Sequence, residues 1–385
     1  MMRAVGVVAE YNPFHNGHAY HLTMARQVAD ADVVIAVMSG NFVQRGEAAI
    51  FDKWARADQA LHHGADVVIE LPFHWAVQPA HLFAQGALTL LAALQIPTMV
   101  FGAEHPQVDF TALAEQSVND TRAFKRFDQT YATLFNAQLE AKTGFRLDQP
   151  NDILSFSYAM ANQQLKRPLV LMPIQRLGAD YHEQVLSQQQ FASATAVRKA
   201  MLTPTDQTVR QLADLVPKQT LASFSQQPAI AGWTPQLWHL LRHTLVVTPV
   251  TELANVYQMS EGLEYRLKAA AEENDTWPDF LTAIKTKRYT YSRLLRVCLY
   301  TVMHATTAEM VPGQSEYLRL LGFTSAGQRW LNEAKKRFMF PLITRFDRKL
   351  KQTTLNLDYR AGTVYEMLTG QAQDFRHNPL RVVTK

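Results

Sequence analysis

Apolar positions along the first half of the chain follow two alternating periods. Ala4-Val5-Gly6-Val7-Val8-Ala9 is short and continuously apolar, which predicts a buried first strand. Ala19 to Ala29 follows with helical spacing. Asp32 to Met38 is a β-branched run that predicts a second strand, ending at Ser39-Gly40-Asn41. Asp52 to His63 reads as a helix with Trp54, Ala57 and Leu61 on one face, and Gly64 is placed to end it. Asp66 to Pro72 is a third strand stopped by its proline, Gln78 to Leu94 a helix, and Pro97 to Gly102 a fourth strand. Leu169 to Pro173 predicts a fifth, with a helical insertion from about Phe110 to Gln164 before it. Strands this apolar, alternating with helices, predict an α/β fold with a Rossmann-like parallel sheet covered on both faces. From Asp206 onward the spacing is helical, most clearly over Tyr289 to His304 and Gly327 to Phe338. The expected division is an α/β domain over residues 1–205 and a mostly helical C-terminal domain over 206–385.

In sheets of this kind ligands bind beyond the carboxyl ends of the strands. That rule selects the loops Tyr11 to His18, Ser39 to Gly46, Leu71 to His74 and Gly102 to His105. The first contains His15-Asn16-Gly17-His18 where strand one hands over to a helix. Helix starts carry free amides and a dipole that favours anions, two imidazoles add hydrogen-bond donors, and Gly17 permits close approach of a nucleotide. Phosphate binding is therefore expected of His15 and His18. Two plainer readings compete. The histidines could pair as metal ligands, with His21 extending the three-residue spacing and Glu10 as the nearby acid, or they could be ordinary satisfied side chains at a helix start. A second segment, Phe191 to Met201, places Ser193 to cap a helix whose first turns carry Thr195 and Arg198. The hydroxyl and the guanidinium suit a polyphosphate, although a plain capped helix explains the segment taken alone.

Composition narrows the setting. At 385 residues, 47% hydrophobic and 19% charged, the chain is long enough for two domains and has an ordinary globular balance. Its one cysteine, Cys298, excludes an internal disulfide framework and a cysteine zinc site, and its apolar neighbours mark a buried thiol. Met1-Met2-Arg3 leads into a strand, and the longest apolar region, Gly86 to Phe101, is broken by Gln95 and Pro97. Neither serves as a secretion signal or a bilayer span, so the cytoplasm and no membrane contact are expected. Charge is asymmetric: from Lys285 to Lys385 there are 18 Lys and Arg against 7 Asp and Glu, in a chain whose overall net charge is +4. A basic quarter of that size predicts a polyanionic partner. One cluster holds Lys285, Lys287, Arg288, Arg293 and Arg296 interleaved with Tyr289 and Tyr291; a second holds Lys335, Lys336, Arg337, Arg345, Arg348, Lys349 and Lys351.

The pairing of His-x-Gly-His after strand one with a later Ser/Thr-x-x-Arg helix start resembles the class I synthetase and nucleotidyltransferase fold. More narrowly, Val7 to His18, Met38 to Gly46, Gly64 to Pro72, Ser193 to Arg198 and Lys287 to Thr290 resemble the bacterial tRNA(Met) cytidine acetate ligase family. The resemblance implies an enzyme that activates acetate with ATP and then acetylates N4 of the wobble cytidine of elongator tRNA(Met). It implies ATP contacts from Val8, Ala9, Glu10, Tyr11, Asn12, Gly17, His18 and His21, with His15, His18 and Arg198 catalytic. Gly102, Asn151, Arg176 and Leu177 also match family positions associated with ATP, although Asn151 reads equally as a helix N-cap. Mg²⁺ would be held mainly by the phosphates, and the basic clusters would hold the RNA. No protein partner is implied. Asn41, Gln44 and Arg45 face the same side and could position acetate or the base, or form a purely structural loop. Two other classes stay open on the residues alone: a small-molecule adenylyltransferase of cofactor synthesis, which does not need the basic quarter, and a non-catalytic RNA-binding module, which does not need the histidines.

Overall fold

The computed structural model describes residues 2–116, 136, 139–176, 192–286, 288–311 and 316–383. The first half follows the alternation in the sequence. Strands β1 (Ala4–Ala9), β2 (Val33–Ser39), β5 (Val67–Leu71), β6 (Thr98–Ala103) and β7 (Val170–Gln175) run parallel, in the order β5-β2-β1-β6-β7. Between β2 and β5 a small hairpin, β3 (Phe42–Val43) with β4 (Glu47–Ala48), stands outside the sheet. The crossovers are α1 (Asn16–Val28), α2 (Lys53–His62), the short α3 (Phe73–Ala76) with α4 (Ala80–Ala93), and α5 (Phe110–Gln116) with α6 (Pro150–Gln163). Helix α7 (Ala194–Leu202) follows β7.

Burial on both faces explains the continuous apolar runs. In β2, Val33, Ile35 and Val37 pack with α4 and α6, while Val34, Ala36 and Met38 pack against α1 and α2. A strand alternates its side chains between faces, so a strand covered on both sides carries no polar phase. Gly64 does follow the end of α2, with φ at +117°, a conformation that favours glycine.

The later half departs from expectation. The boundary expected at residue 205 does not separate a sheet domain from a helical one. Leu318–Thr324 forms β8, which joins the exposed edge of β5 in the antiparallel sense, and β9 (Leu342–Ile343) and β10 (Leu380–Val382) share the outer edge of β8. A seven-residue, mainly apolar segment does not distinguish strand from helix by period, and the open edge of β5 decides it. The intervening helices are built as expected and share a core with the first eighty residues: Phe42, Ala48, Phe73 and Val77 pack among Leu237, Leu241, Leu267, Phe280 and Leu294. Cys298 lies in that core, where burial pushes its thiol well above its ordinary value. Among the described residues, no helix is long and apolar enough to cross a membrane.

Candidate active site

Strand order reverses at β1: β2 and β5 extend one way, β6 and β7 the other. Pairing between β1 and β2 continues over six residues, but β1 meets β6 only at Val5 and Gly6. The two strands therefore diverge toward their carboxyl ends and leave a crevice at the switch point, where this class of sheet takes its ligands. His21 occupies the gap, its Nε2 3.2 Å from the Val100 carbonyl oxygen, a group that a full β1–β6 ladder would have paired.

Helix α1 begins three residues earlier than expected, with His15 as its N-cap. The Gly17 amide donates to His15 Nδ1 at 3.0 Å, and the His15 amide donates to His18 Nδ1 at 3.3 Å. This reciprocal capping box occupies the amides that had been expected to meet phosphate, so that role passes to the side chains. It also fixes both tautomers. An imidazole that accepts at Nδ1 carries its proton on Nε2, so the two rings, stacked with centroids 3.8 Å apart, present two Nε2–H donors. Burial, reinforced by the Arg176 and Arg198 guanidiniums, holds the His15 imidazole down at about 3. His18 lies well below its ordinary value through burial, then through His15, His21 and Arg176. Burial lowers His21 to about 4 against the opposing Val100 hydrogen bond, with Arg176 adding to the shift. Neutral donors follow, not cations. Among the described residues no three His, Cys, Asp or Glu side chains gather as a metal site.

These histidines give stability a definite pH dependence. A histidine that stays neutral when folded takes up its proton on unfolding, so its contribution is intact above about pH 6.5 and is lost as pH falls toward the folded values. Each such site adds up to about 1.4 kcal/mol per pH unit below that point. Denaturant midpoints at pH 7, 6 and 5 are expected to fall steeply, and less steeply in His21→Gln. Parallel curves for the two proteins would contradict the assignment.

Arg198 joins the two sequence segments. Its Nη1 donates to the Asn12 carbonyl at 2.5 Å and its Nη2 to Thr195 Oγ1 at 3.1 Å, while Ser193 caps α7 by accepting from the Ala196 amide at 3.1 Å. Gly102 lies under Arg176: a Cβ there would come within 2.9 Å of the Arg176 Cγ. Asn151 is not an N-cap. Gln149 holds that place, and Asn151 Nδ2 donates to Glu104 Oε1 at 2.5 Å, fixing the loop after β6. Val8 and Ala9 are partly exposed at the end of β1. Tyr11 and Asn12 are different. Both are buried, Tyr11 against Phe14 and His18, and Asn12 with Oδ1 accepting from the Ile50 amide at 2.8 Å, so they support the loop instead of lining an open surface. Leu177 and Lys287 lie outside the described residues.

One residue at this site carries no signal in the sequence. Arg56, on the apolar face of α2 and fully buried, donates to the carbonyls of Phe51 (2.9 Å), Glu10 (2.6 Å), Ser39 (3.1 Å) and Gly40. It ties the ends of β1 and β2 together. Helical spacing places it among core positions, and only the convergence of two strand ends supplies its acceptors.

The basic residues do not form one surface. Lys285 and Arg288 are exposed, Arg288 pairing with Glu261 at 3.0 Å, and Arg293 lies 4.7 Å from the Tyr289 ring centre. Tyr289 itself is buried with its hydroxyl on Glu261, so of the two interleaved tyrosines Tyr291 is the exposed one. Arg296 is corrected as a phosphate contact: it is 7% exposed, and its backbone packs on Gly46, where a Cβ would come within 2.7 Å. This close approach sets the hairpin loop of Gln44 and Arg45 against the helix Tyr291–Val302. Lys335, Lys336 and Arg337 are exposed but lie elsewhere. Met339 donates to the Ala93 carbonyl at the end of α4, and Glu333 accepts from the Met2 amide, which places this cluster toward the amino ends of the strands, away from His15 and His18.

Comparison with known proteins agrees with this geometry. A family model described as HIGH Nucleotidyl Transferase matches residues 2–378. The tRNA(Met) cytidine acetate ligase of Limosilactobacillus reuteri is 47% identical over 382 residues, 98% of this chain and 99% of that protein. The protein of the same name from Limosilactobacillus fermentum is 48% identical over 384 residues, covering 99% and 100%. The solved structure of Thermotoga maritima TmcAL without ligand is similar at a TM-score of 0.89 and 30% identity, and the one bound with alpha-thio ATP at 0.87 and 29%, each over the whole of both chains. With the His-x-Gly-His loop at the sheet's switch point and near half of all positions shared over full length, the chain belongs to the tRNA(Met) cytidine acetate ligase family.

Proposed function

We propose that this protein activates acetate with ATP and transfers the acetyl group to N4 of the wobble cytidine of elongator tRNA(Met), releasing pyrophosphate and AMP. The observation that carries the reading is the pair of neutral Nε2–H donors at the switch point, flanked by Arg176 and Arg198, in a chain of this family. An acetate oxygen attacks the α-phosphorus and pyrophosphate leaves. Charge builds on phosphoryl oxygens, so positioned donors at the crevice are the main requirement. His15 and His18 donate to those oxygens, with Arg198 and Arg176 supplying positive charge. Mg²⁺ would be held by the phosphates of ATP, with no protein ligand set of its own assigned. The cytidine amine then attacks the acetyl carbonyl and expels AMP, with the base drawn out of its loop into the crevice.

Lys285, Arg288, Tyr291 and Arg293, in or just before the helix that packs on the hairpin, are assigned to RNA contact; Lys335, Lys336 and Arg337 are assigned to a more distant part of the tRNA or to no contact. The protein acts in the cytoplasm, where its tRNA substrate is. Incubating the protein with ATP, labelled acetate and tRNA, followed by digestion, tests the reading through the appearance of N4-acetylcytidine. Filter binding over a salt series separates it from a small-molecule adenylyltransferase. Affinity for tRNA is expected to fall as salt rises, and Arg288→Ala with Arg293→Ala is expected to lower the salt slope by about one to two. Absence of tRNA binding at low salt would sink the RNA assignment.

A further inference from the structure

Glu10 stands at the end of β1 where a carboxylate is hard to account for. Acetate and ATP are both anions, and a carboxylate in their crevice repels each. Its one described hydrogen bond, Oε1 accepting from the Gln44 amide at 2.7 Å, needs an acceptor but not a charge, and a glutamine would serve. The group is half-buried; Arg56 donates to its backbone carbonyl at 2.6 Å, and the charges of Arg198, Arg45 and Arg56 act on the carboxyl, as does the buried Tyr158 of α6. Burial pushes the carboxyl above its ordinary range, while the Gln44 amide and the three guanidiniums draw it back.

The transfer step creates a proton that needs an acceptor. When the exocyclic amine attacks an acyl carbon it must lose a proton, and the leaving phosphate is a weak base. The imidazoles beside the phosphate cannot take it. His15 and His18 each have Nδ1 occupied by a backbone amide and Nε2 already protonated. His21 is turned into the gap between β1 and β6, and the guanidiniums and phenols nearby carry protons of their own.

We propose that Glu10 is the general base of acetyl transfer, accepting a proton from N4 of the cytidine. The N4 lone pair forms a bond to the acetyl carbon, the bond from that carbon to the phosphoryl oxygen breaks, AMP leaves with the electron pair, and the proton passes to the Glu10 carboxylate and on to water. The inference rests on the acetate ligase reading above. These positive charges fit both stages, offsetting the charge of Glu10 while the anions bind and keeping enough carboxylate to act as base.

Measuring the two half-reactions separately in wild type, Glu10→Gln and Glu10→Asp tests it. Single-turnover transfer from preformed acetyl-adenylate to tRNA is expected to fall at least about 100-fold in Glu10→Gln. ATP–pyrophosphate exchange is expected to fall less than about 10-fold, the difference marking the transfer step as the one that needs the base. Wild-type transfer is expected to slow as pH falls through the ionisation of Glu10; the Gln variant loses that dependence and the Asp variant regains it in part. Exchange and transfer falling by one common factor, with the pH dependence kept, would make Glu10 a positioning residue for the Gln44 loop and overturn the proposal. Transfer in Glu10→Gln close to wild type would also overturn it. A wild-type protein that makes no acetylcytidine removes the ligase reading itself, and this inference with it.

Discussion

His18→Ala is expected to lower ATP–pyrophosphate exchange by about 100- to 1,000-fold while tRNA binding persists, because it removes one of two preorganised donors aimed at charge that develops in the transition state. The structure separates this effect from a loss of fold. His18 also accepts from the His15 amide, so its removal opens one leg of the capping box and costs about 0.5–2 kcal/mol. That is too little to account for the expected kinetic loss unless the protein is already marginal. His15→Asn is the sharper companion. Asparagine is among the best N-caps, so the start of α1 is kept while the Nε2–H donor is lost. Melting within a few degrees of wild type, together with exchange reduced by a factor similar to that in His18→Ala, is the expected pattern. Exchange within twofold of wild type in both variants would remove the histidines from catalysis and leave them as helix caps.

Asp374→Ala is expected to destabilise the fold by about 3–5 kcal/mol, read as a shift in the denaturant midpoint. Four charged side chains, each at most 5% exposed, meet at the carboxyl end of β5: Lys53, Glu70, Arg319 and Asp374. Lys53 Nζ lies 2.9 Å from Glu70 Oε1 and 2.8 Å from Asp374 Oδ1, and Arg319 Nη2 lies 2.8 Å from the same Asp374 oxygen. Burial pushes the Asp374 carboxyl up, but Lys53 and Arg319 overcome it and hold the group below its ordinary value. Removal of Asp374 leaves two buried cations short of a counter-charge, a larger penalty than the pair's own net worth. Combining Asp374→Leu with Arg319→Met removes one charge of each sign and is therefore expected to cost less than the sum of the two single changes. Additive losses, or a loss below 1 kcal/mol in Asp374→Ala, would contradict the cluster as described.

The same cluster connects the end of the chain to the site. Gln373, beside Asp374, accepts from Asn41 Nδ2 at 2.9 Å, and Asn41 Oδ1 accepts from the Lys53 amide at 2.8 Å. The loop after β2 is thus held by a segment more than three hundred residues away. Trp54 adds a stacked contact to His377, 4.6 Å between centroids. The position of this loop depends on the C-terminal segment as well as on the strand that precedes it, and Asn41, buried with both side-chain groups engaged, braces the loop.

Several parts of the molecule were legible because short-range physics settles them. Continuous apolar runs in Ala4 to Ala9 and Val33 to Met38 admit a strand covered on both faces, and Ser193 three residues before Ala196 is a helix cap wherever the helix lies. His15, His18 and Arg198 are brought to one place because a parallel sheet gathers the loops at the carboxyl ends of its strands. The order of Leu318 to Thr324 within the sheet, the burial of Arg56 and Arg296, and the separation of Lys335 to Arg337 from the crevice were not legible. A charged residue reads the same in sequence whether it faces water or a ring of carbonyls, and a short, mainly apolar segment reads the same as strand or helix. Local pattern alone determined the α/β half and the chemistry of its first loop. Tertiary contact decided which tautomers the histidines adopt, which cations face solvent and where the end of the chain closes the sheet, since each depends on partners supplied by distant segments.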